Sequence, residues 1–230
     1  MKHELAHPLE KISLWPTHMF RYRYRDWPYD KQKIVDCIRS ETDKQSKDID
    51  SDVAIGVKTL GLKESKFDFL EKGDEYPIIE KLNKFFTEAI ANVVLDALPN
   101  ADERLALPKH VTKINPVIFE SWYHVTNKGG AHGAHCHPGA SWAGIFYVQS
   151  KECKMNNLNG VNRWFNIDSN RGPGDLGSYW WNSDSIYGVP PEEGTLVLFP
   201  AWLWHEVTAY VGDEDRIIIS FNSAVLKSHD

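Results

Sequence analysis

Three histidines are the residues of this 230-residue chain best placed to hold a metal ion: His135 and His137 flank Cys136, and His205 follows the apolar run Gly194–Pro200. If the first pair lies in an extended segment, alternation puts both imidazoles on one face, and His205 becomes the obvious third ligand. Three ligands on one side leave coordination positions open, as in catalytic sites. Imidazole binds zinc, iron, copper and nickel, so the residue types alone do not select the metal. The alternative is two loop histidines and one hydrogen-bonded core histidine.

An arginine downstream of His205 opens a second strongly apolar run, Arg216–Asn222. In a strand, Arg216 and Ser220 share one face. A guanidinium is costly to bury unless it meets an anion, and its planar fork fits a carboxylate. Ser220 could donate a second hydrogen bond to that anion. The alternative is an ion pair with one of the neighbouring acidic residues, Asp213, Glu214 or Asp215.

The overall composition restricts the partners. The net charge is −6, from 26 Lys and Arg against 32 Asp and Glu, which argues against general nucleic-acid binding because phosphate contacts need a basic surface. Three widely spaced cysteines are atypical of a disulfide scaffold and favour a reducing compartment. Neither a signal peptide nor an apolar run of about 20 residues is recognisable. We therefore expect a cytoplasmic protein without a membrane partner.

The elements that must position these residues change character near residue 107. Before it, Phe20–Trp27 alternates aromatic residues with arginines, as a half-buried edge strand does. Asp30–Thr42 and Pro77–Leu98 have helical spacing, and Pro99 is expected to end the second helix. After residue 107 come four β-rich runs separated by Gly, Pro and Asn clusters: 111–125, 141–149, 194–200 and 216–225. Strands without helix-length gaps indicate an antiparallel sandwich or barrel.

We expect one domain, in which a helix-leaning part at 1–107 packs on a β core at 108–226. A long polar and aromatic segment, 154–193, interrupts this core, and a segment of that size is often a lid or binding loop. Its aromatic residues are candidate substrate contacts, with packing against the barrel rim as the alternative. They are Trp164, Tyr179, Trp180, Trp181 and Tyr187.

The order of these motifs resembles the core of the iron(II)- and 2-oxoglutarate-dependent oxygenases, most closely the bacterial and phage branch related to the prolyl 4-hydroxylases. The motifs that carry the resemblance are Tyr123, Gly129-Gly130, His135-x-His137, Gly144–Val148, Gly194–Pro200, His205-Glu206-Val207 and Arg216. The resemblance implies a mainly β protein with flanking helices, built on a double-stranded β-helix, or jelly roll.

The resemblance also implies an Fe(II) site in which His135 and His205 are ligands. His137 stands where the wider family has Asp or Glu, and it is our candidate for the third ligand. A carboxylate would lower the net charge of the centre by one, whereas a third histidine does not. A water molecule, Glu206 or Asp168 therefore remains an alternative at this position.

In the same way, the resemblance implies that Arg216 binds the distal carboxylate of 2-oxoglutarate, with Ser220 or Tyr123 as helpers. The implied reaction converts this cosubstrate to succinate and carbon dioxide while a C–H bond of a small or peptidic substrate is hydroxylated.

Two other functions remain open at this stage. The first is a cupin-like enzyme with three histidine ligands that does not use 2-oxoglutarate and has no need of a carboxylate clamp at Arg216. The second is a non-enzymatic jelly-roll module that binds a carbohydrate or a protein through the Trp-rich segment.

Overall fold

Two antiparallel sheets and two helices make up the described part of the molecule. The structure is a computed structural model that describes residues 17–45, 61–105, 114–166 and 186–227. In chain order the elements are β1 (Phe20–Arg23), α1 (Trp27–Gln45), β2 (Leu62–Glu64), a 3-10 helix (Phe69–Gly73), α2 (Pro77–Leu105), β3 (Ile114–Thr126), β4 (His132–His135), β5 (Trp142–Gln149), β6 (Asn162–Phe165), β7 (Ile186–Gly188), β8 (Thr195–Pro200), β9 (His205–Val207) and β10 (Arg216–Lys227).

The larger sheet has six strands in the order β1-β8-β5-β10-β3-β2, and the smaller sheet has four in the order β4-β9-β6-β7. Alternation along β10 divides its side chains between two environments. Ile217, Ile219 and Phe221 face the helices, whereas Ile218 packs in a second apolar cluster that also contains Trp164 of the smaller sheet. The space between the two sheets is therefore lined by the same face of β10 that carries Arg216.

The helices cover the outer face of the larger sheet through a cluster of aromatic rings. Phe86 of α2 stacks on Phe221 with ring centroids 5.0 Å apart and contacts Phe146 at 5.4 Å. All three rings are fully buried. Gly144 on β5 makes room for this cluster, since a Cβ atom there would lie 2.2 Å from the Phe221 ring. This layer packs β10 and β5 against the helices on the side away from the interior.

Most predicted elements are confirmed, although several of their boundaries differ from the prediction. The arginine-rich strand is β1, an edge strand whose Arg21 and Arg23 side chains form ion pairs with Glu192. Both predicted helices are present, but α2 continues to Leu105 instead of ending at Pro99. A proline removes one backbone hydrogen bond and disfavours a helix, yet it does not by itself end one. No helix in the described residues is both long and apolar enough to cross a membrane.

The segment 154–193, which we expected to be one long loop, contains two strands of the smaller sheet. β6 and β7 pair with each other, and β6 also pairs with β9. Residues 167–185 between them lie outside the described residues. The short β6 sequence Asn-Arg-Trp-Phe alternates buried and half-buried positions, a signal that the polar residues on either side obscure.

Candidate metal centre

The structure brings the three predicted histidines together at one end of the smaller sheet. His135 on β4 and His205 on β9 are directly opposite each other in the strand pairing. His137 lies just beyond β4, where its backbone N–H donates to the carbonyl of Ala201 at 2.8 Å. One ligand nitrogen from each ring lies within 4.8 Å of the others. These three side chains, called the triad below, could hold a metal ion.

Backbone carbonyls orient two of the rings. Nδ1 of His135 lies 2.8 Å from the carbonyl oxygen of Gly133, and Nδ1 of His205 lies 3.1 Å from that of Leu203. A carbonyl oxygen can only accept, so Nδ1 carries the hydrogen in both rings and Nε2 keeps its lone pair. This is the tautomer in which Nε2 binds a metal, held by the hydrogen bonds that metal-binding histidines ordinarily make.

The protein interior favours the uncharged form of two triad residues, His137 and His205. Burial, with smaller contributions from His135 and His124, lowers the pKa of His137 to about 4. Burial is also the main cause that holds the pKa of His205 well below its ordinary value, and the neighbouring His135 and His137 add to it. Because a metal binds neutral imidazole, the two side chains are in the binding-competent state at neutral pH.

A carboxylate that the sequence analysis did not identify, that of Glu64, is linked to this centre through other histidines. Glu64 on β2 is opposite His124 on β3, and its Oε2 atom is 2.7 Å from Nε2 of His124. The His124 ring lies 5.5 Å from that of His132, which stacks on His135 at 3.9 Å. Glu64 thus connects to the triad through two further imidazoles. Only the pairing of β2 with β3 reveals this, and such a long-range pairing leaves no local pattern in the sequence.

Glu206, one of the alternatives considered for the third ligand, points away from the triad. It directly follows His205 on β9, so its side chain lies on the other face of the smaller sheet. There its carboxylate accepts a hydrogen bond of 2.8 Å from Nε of Arg163. The other alternative, Asp168, lies outside the described residues.

Arg216 is fully buried between the two sheets, with 0% of its surface exposed. Its Nε donates to the carbonyl of Gly160 at 2.9 Å, and its Nη2 donates to Oδ1 of Asn162 at 2.7 Å. Nη1 is buried without a nitrogen or oxygen hydrogen-bond partner in the described part of the chain, and the neighbouring thiol of Cys153 offers the guanidinium only a weak, uncharged contact. No carboxylate among the described residues forms an ion pair with the guanidinium, so the predicted alternative of a partner at 213–215 is wrong. A buried cation with an unsatisfied donor fits an anionic ligand.

The two predicted helpers of Arg216 occupy opposite faces of the larger sheet. Ser220 lies on the interior face and lines the same cavity as the triad. Tyr123 instead faces the helices, where its ring is 5.0 Å from that of Phe69 and its hydroxyl accepts from Thr42 at 3.2 Å. Tyr123 is therefore not at the site, because alternation along β3 turns its neighbours Trp122 and His124 inward.

The predicted substrate contacts are also divided. Trp164 on β6 is buried, with its ring 5.3 Å from Phe199 and 6.3 Å from His205, so it packs beside the triad as a core residue. Tyr187 on β7 lies opposite Trp164 and is 61% exposed. Tyr179, Trp180 and Trp181 lie outside the described residues.

Comparison with known proteins finds a family that is similar to the β-rich part of this chain. Residues 120–222 match the model of a family described as "Putative 2OG-Fe(II) oxygenase", where 2OG is 2-oxoglutarate. No curated protein matches the chain. This matched segment runs from the middle of β3 to the middle of β10 and includes the triad, Ser220 and Arg216.

Several solved structures are similar to the chain. The non-heme alpha-ketoglutarate-dependent epimerase SnoN from nogalamycin biosynthesis has a TM-score of 0.53 at 10% identity, covering 90% of this chain and 76% of SnoN. A prolyl-4-hydroxylase from Pseudomonas putida has a TM-score of 0.49 at 13% identity, covering 90% and 92%. HygX from Streptomyces hygroscopicus, with nickel, 2-oxoglutarate and hygromycin B bound, has a TM-score of 0.47 at 13% identity, covering 90% and 83%.

At 10% identity the likeness to SnoN shows the fold alone, and it confirms the predicted double-stranded β-helix. The family match adds the chemistry, since the family uses Fe(II) and 2-oxoglutarate and the triad could hold the metal. The segment of this chain that carries the triad is therefore similar to the 2OG-Fe(II) oxygenase family.

Proposed function

We propose that this protein is an Fe(II)- and 2-oxoglutarate-dependent dioxygenase that hydroxylates a small or peptidic substrate and releases succinate and carbon dioxide. The observation that carries the proposal is Arg216, a fully buried guanidinium whose Nη1 has no nitrogen or oxygen partner in the described part of the chain. It lies in the interior of the same β core that carries the triad. A neutral or cationic ligand would leave this charge uncompensated, whereas the distal carboxylate of 2-oxoglutarate would pair with it.

The residues that would hold iron are His135, His137 and His205. Their donor set fits Fe(II), which accepts imidazole ligands, and three ligands on one side leave positions for further groups. When bound, iron(II) supplies the oxidising chemistry that couples decarboxylation of the cosubstrate to oxidation of a C–H bond. Two of the histidines reach this role with their rings already oriented by the carbonyls of Gly133 and Leu203.

The residues around the triad would exclude water and align the cosubstrate. The cavity next to the triad is lined by apolar side chains from the larger sheet, including Ile145, Phe199 and Ile218. Ser220 is the polar residue of β10 on this wall, and we propose that it donates to the carboxylate bound at Arg216. A dry cavity strengthens these polar contacts and protects a reactive centre from side reactions.

The substrate would approach from the side of the smaller sheet on which Tyr187 is exposed. Tyr187, Trp164 and His205 are opposite one another across β7, β6 and β9, so they form one row that leads to the triad. Tyr187 is the member of this row that a substrate can reach directly. Trp164 would act by packing against His205, and contact of Tyr179, Trp180 and Trp181 with the substrate remains a prediction.

A second candidate is the cupin-like enzyme that binds metal through three histidines and does not use 2-oxoglutarate. The observation that favours it is His137, because the wider family would have a carboxylate at this position. Similarity to this family argues against the third possibility, a non-enzymatic binding module.

Binding of 2-oxoglutarate separates the two candidates. Protein loaded with Mn(II) in place of Fe(II) would be titrated calorimetrically with 2-oxoglutarate, and iron-loaded protein would be assayed for succinate under air. We expect metal-dependent binding and succinate formation. Metal-loaded protein that neither binds 2-oxoglutarate nor forms succinate would establish the cupin-like alternative, and protein that takes up no metal would contradict both.

A further inference from the structure

We infer that Asn162 is a second recognition residue for the distal carboxylate of the cosubstrate, and that it acts beside Arg216. The inference rests on the proposed function. Asn162 is the first residue of β6, on the sheet opposite Arg216, and only 1% of its surface is exposed. It also lines the cavity next to the triad, together with Ser220 and Ile218. Nothing in the sequence pattern marked it as a site residue.

The orientation of the Asn162 amide follows from its partners. Its Oδ1 atom accepts from Nη2 of Arg216 at 2.7 Å and from the hydroxyl of Tyr147 at 3.1 Å. A guanidinium has no acceptor, so the atom that faces it must be the amide oxygen. Burial raises the pKa of Tyr147, which keeps its hydroxyl a donor. The amide nitrogen therefore points away from both groups.

Two buried donors remain unmatched at this place. Nδ2 of Asn162 and Nη1 of Arg216 both lack a nitrogen or oxygen hydrogen-bond partner within the described residues. Both can only donate, so they cannot satisfy each other. Buried polar groups in native proteins are nearly always paired, and an exception calls for an absent ligand or water. A carboxylate offers two oxygens that accept from several donors at once, and it also carries the charge that Arg216 lacks.

The choice of an amide at this position preserves the charge of the guanidinium. An aspartate here would accept the same two hydrogen bonds, but it would neutralise Arg216 and repel a second carboxylate. Asn162 and the carbonyl of Gly160 instead satisfy Nη2 and Nε with neutral oxygens. The full positive charge is thereby left for the ligand, and the amide nitrogen adds a donor of its own.

The inference predicts that Asn162 contributes to binding only when the ligand has a distal carboxylate. We would measure the dissociation constants of 2-oxoglutarate and of 2-oxovalerate, which has the same carbon chain without that carboxylate, for Mn(II)-loaded protein. The dissociation constant of 2-oxovalerate divided by that of 2-oxoglutarate isolates the contribution of the distal carboxylate. We expect Asn162→Ala to lower this ratio about tenfold or more, because a hydrogen bond to a charged group is lost.

Asn222→Ala is the matched control, since Asn222 is also a buried asparagine but donates to Glu120 at 2.8 Å. It should leave the ratio unchanged. If Asn162→Ala does not fold, Asn162→Leu fills a similar volume and permits the same measurement. A merely structural role would weaken both ligands equally and leave the ratio at the wild-type value, which would overturn the inference.

The same titration distinguishes this inference from the proposed function. If wild-type protein prefers 2-oxoglutarate strongly and the Asn162 variants keep that preference, only the role of Asn162 is contradicted. If metal-loaded wild-type protein shows no preference for the dicarboxylate, the proposed function fails, and the role of Asn162 fails with it.

Discussion

Nε2 of His137 lies 3.3 Å from Nε2 of His205, although the two residues come from different segments of the chain. The hydrogen of His205 is on Nδ1, which donates to Leu203, so without a metal the Nε2 atom of His137 must carry the proton between the rings. Two nitrogens at about 2.1 Å from one ion, at angles between octahedral and tetrahedral, are separated by roughly this distance. Metal binding at Nε2 of His137 would therefore require the tautomer with the hydrogen on Nδ1, but little movement of either ring.

Removal of either of these rings should abolish tight metal binding. We expect His205→Ala or His137→Ala to purify with little iron and to retain none after dialysis, as measured by elemental analysis. His18→Ala is the control, because His18 is exposed and lies outside the triad. Unchanged iron stoichiometry in either triad variant would exclude that residue as a ligand.

Arg216→Ala should weaken 2-oxoglutarate binding about a hundredfold while metal content stays near the wild-type level. The reason is that the carboxylate would lose a fully buried charged partner. Calorimetric titration of Mn(II)-loaded protein gives the affinity, and elemental analysis gives the metal content. Arg163→Ala, which removes an arginine bound to Glu206 on the other face of the smaller sheet, should change neither. Loss of metal in Arg216→Ala would mean that this arginine serves the fold.

The stability of metal-free protein should fall as the pH decreases from about 6.5 towards 4. The pKa of His137 is lowered to about 4 in the folded protein, mainly by burial, whereas in the unfolded chain it stays near 6.5. Between these values the unfolded chain binds a proton that the folded protein does not, so acid favours unfolding. Urea unfolding at pH 7.5, 6.0 and 5.0 measures this loss. His137→Gln should show a shallower decline, and an equal decline would assign the effect to other groups.

Glu64→Gln should weaken binding of divalent metal several-fold without preventing folding. The negative charge of Glu64 reaches the triad, since it is one of the groups that act on the pKa of His137, in the raising direction. The same field favours a cation at the triad, and glutamine would keep a polar contact with His124 while removing the charge. Competition with a metal indicator would measure the affinity. Glu120→Gln, which changes the carboxylate bound to Asn222, should leave it at the wild-type value.

Gly144→Ala should destabilise the protein by about 1–3 kcal/mol, because the added methyl group overlaps the Phe221 ring. Chemical denaturation would give the free energy of unfolding. Combination with Phe221→Leu should recover part of the loss, since the two positions share one space. Strictly additive losses would show that the overlap is relieved elsewhere.

The triad and Arg216 could be predicted from the sequence because their signals are local: a His-x-His pair, a histidine after an apolar run, and an arginine that opens an apolar strand. The β10 pattern correctly separates the interior face of Arg216 and Ile218 from the face of Ile217 and Ile219, which meets the helices. Along β3, the same alternation places Tyr123 on the face opposite Trp122 and His124. The sequence shows that these residues alternate, but it does not show which of the two faces meets the cavity, so Tyr123 could not be excluded from the sequence alone.

Glu64 and Asn162 could not be predicted because their partners are far away in the chain. Glu64 meets His124 through the pairing of β2 with β3, and Asn162 meets Arg216 across the two sheets. Each is a polar residue in a short strand with polar flanks, a pattern also typical of surface loops. Trp164 illustrates the converse error, since an aromatic residue in a polar segment resembled a surface contact yet packs in the core.

Both outermost strands of the six-stranded sheet, β1 and β2, come from the first 64 residues. A fragment cut back to the segment that carries the family motifs would expose the backbone of β8 on one side and of β3 on the other. Exposed edge strands of this kind can pair with edge strands of other copies of the chain, which leads to aggregation. β1 and β2 therefore protect both edges of the larger sheet from pairing with other copies of the chain. Shortened versions intended for biochemistry should retain these two strands.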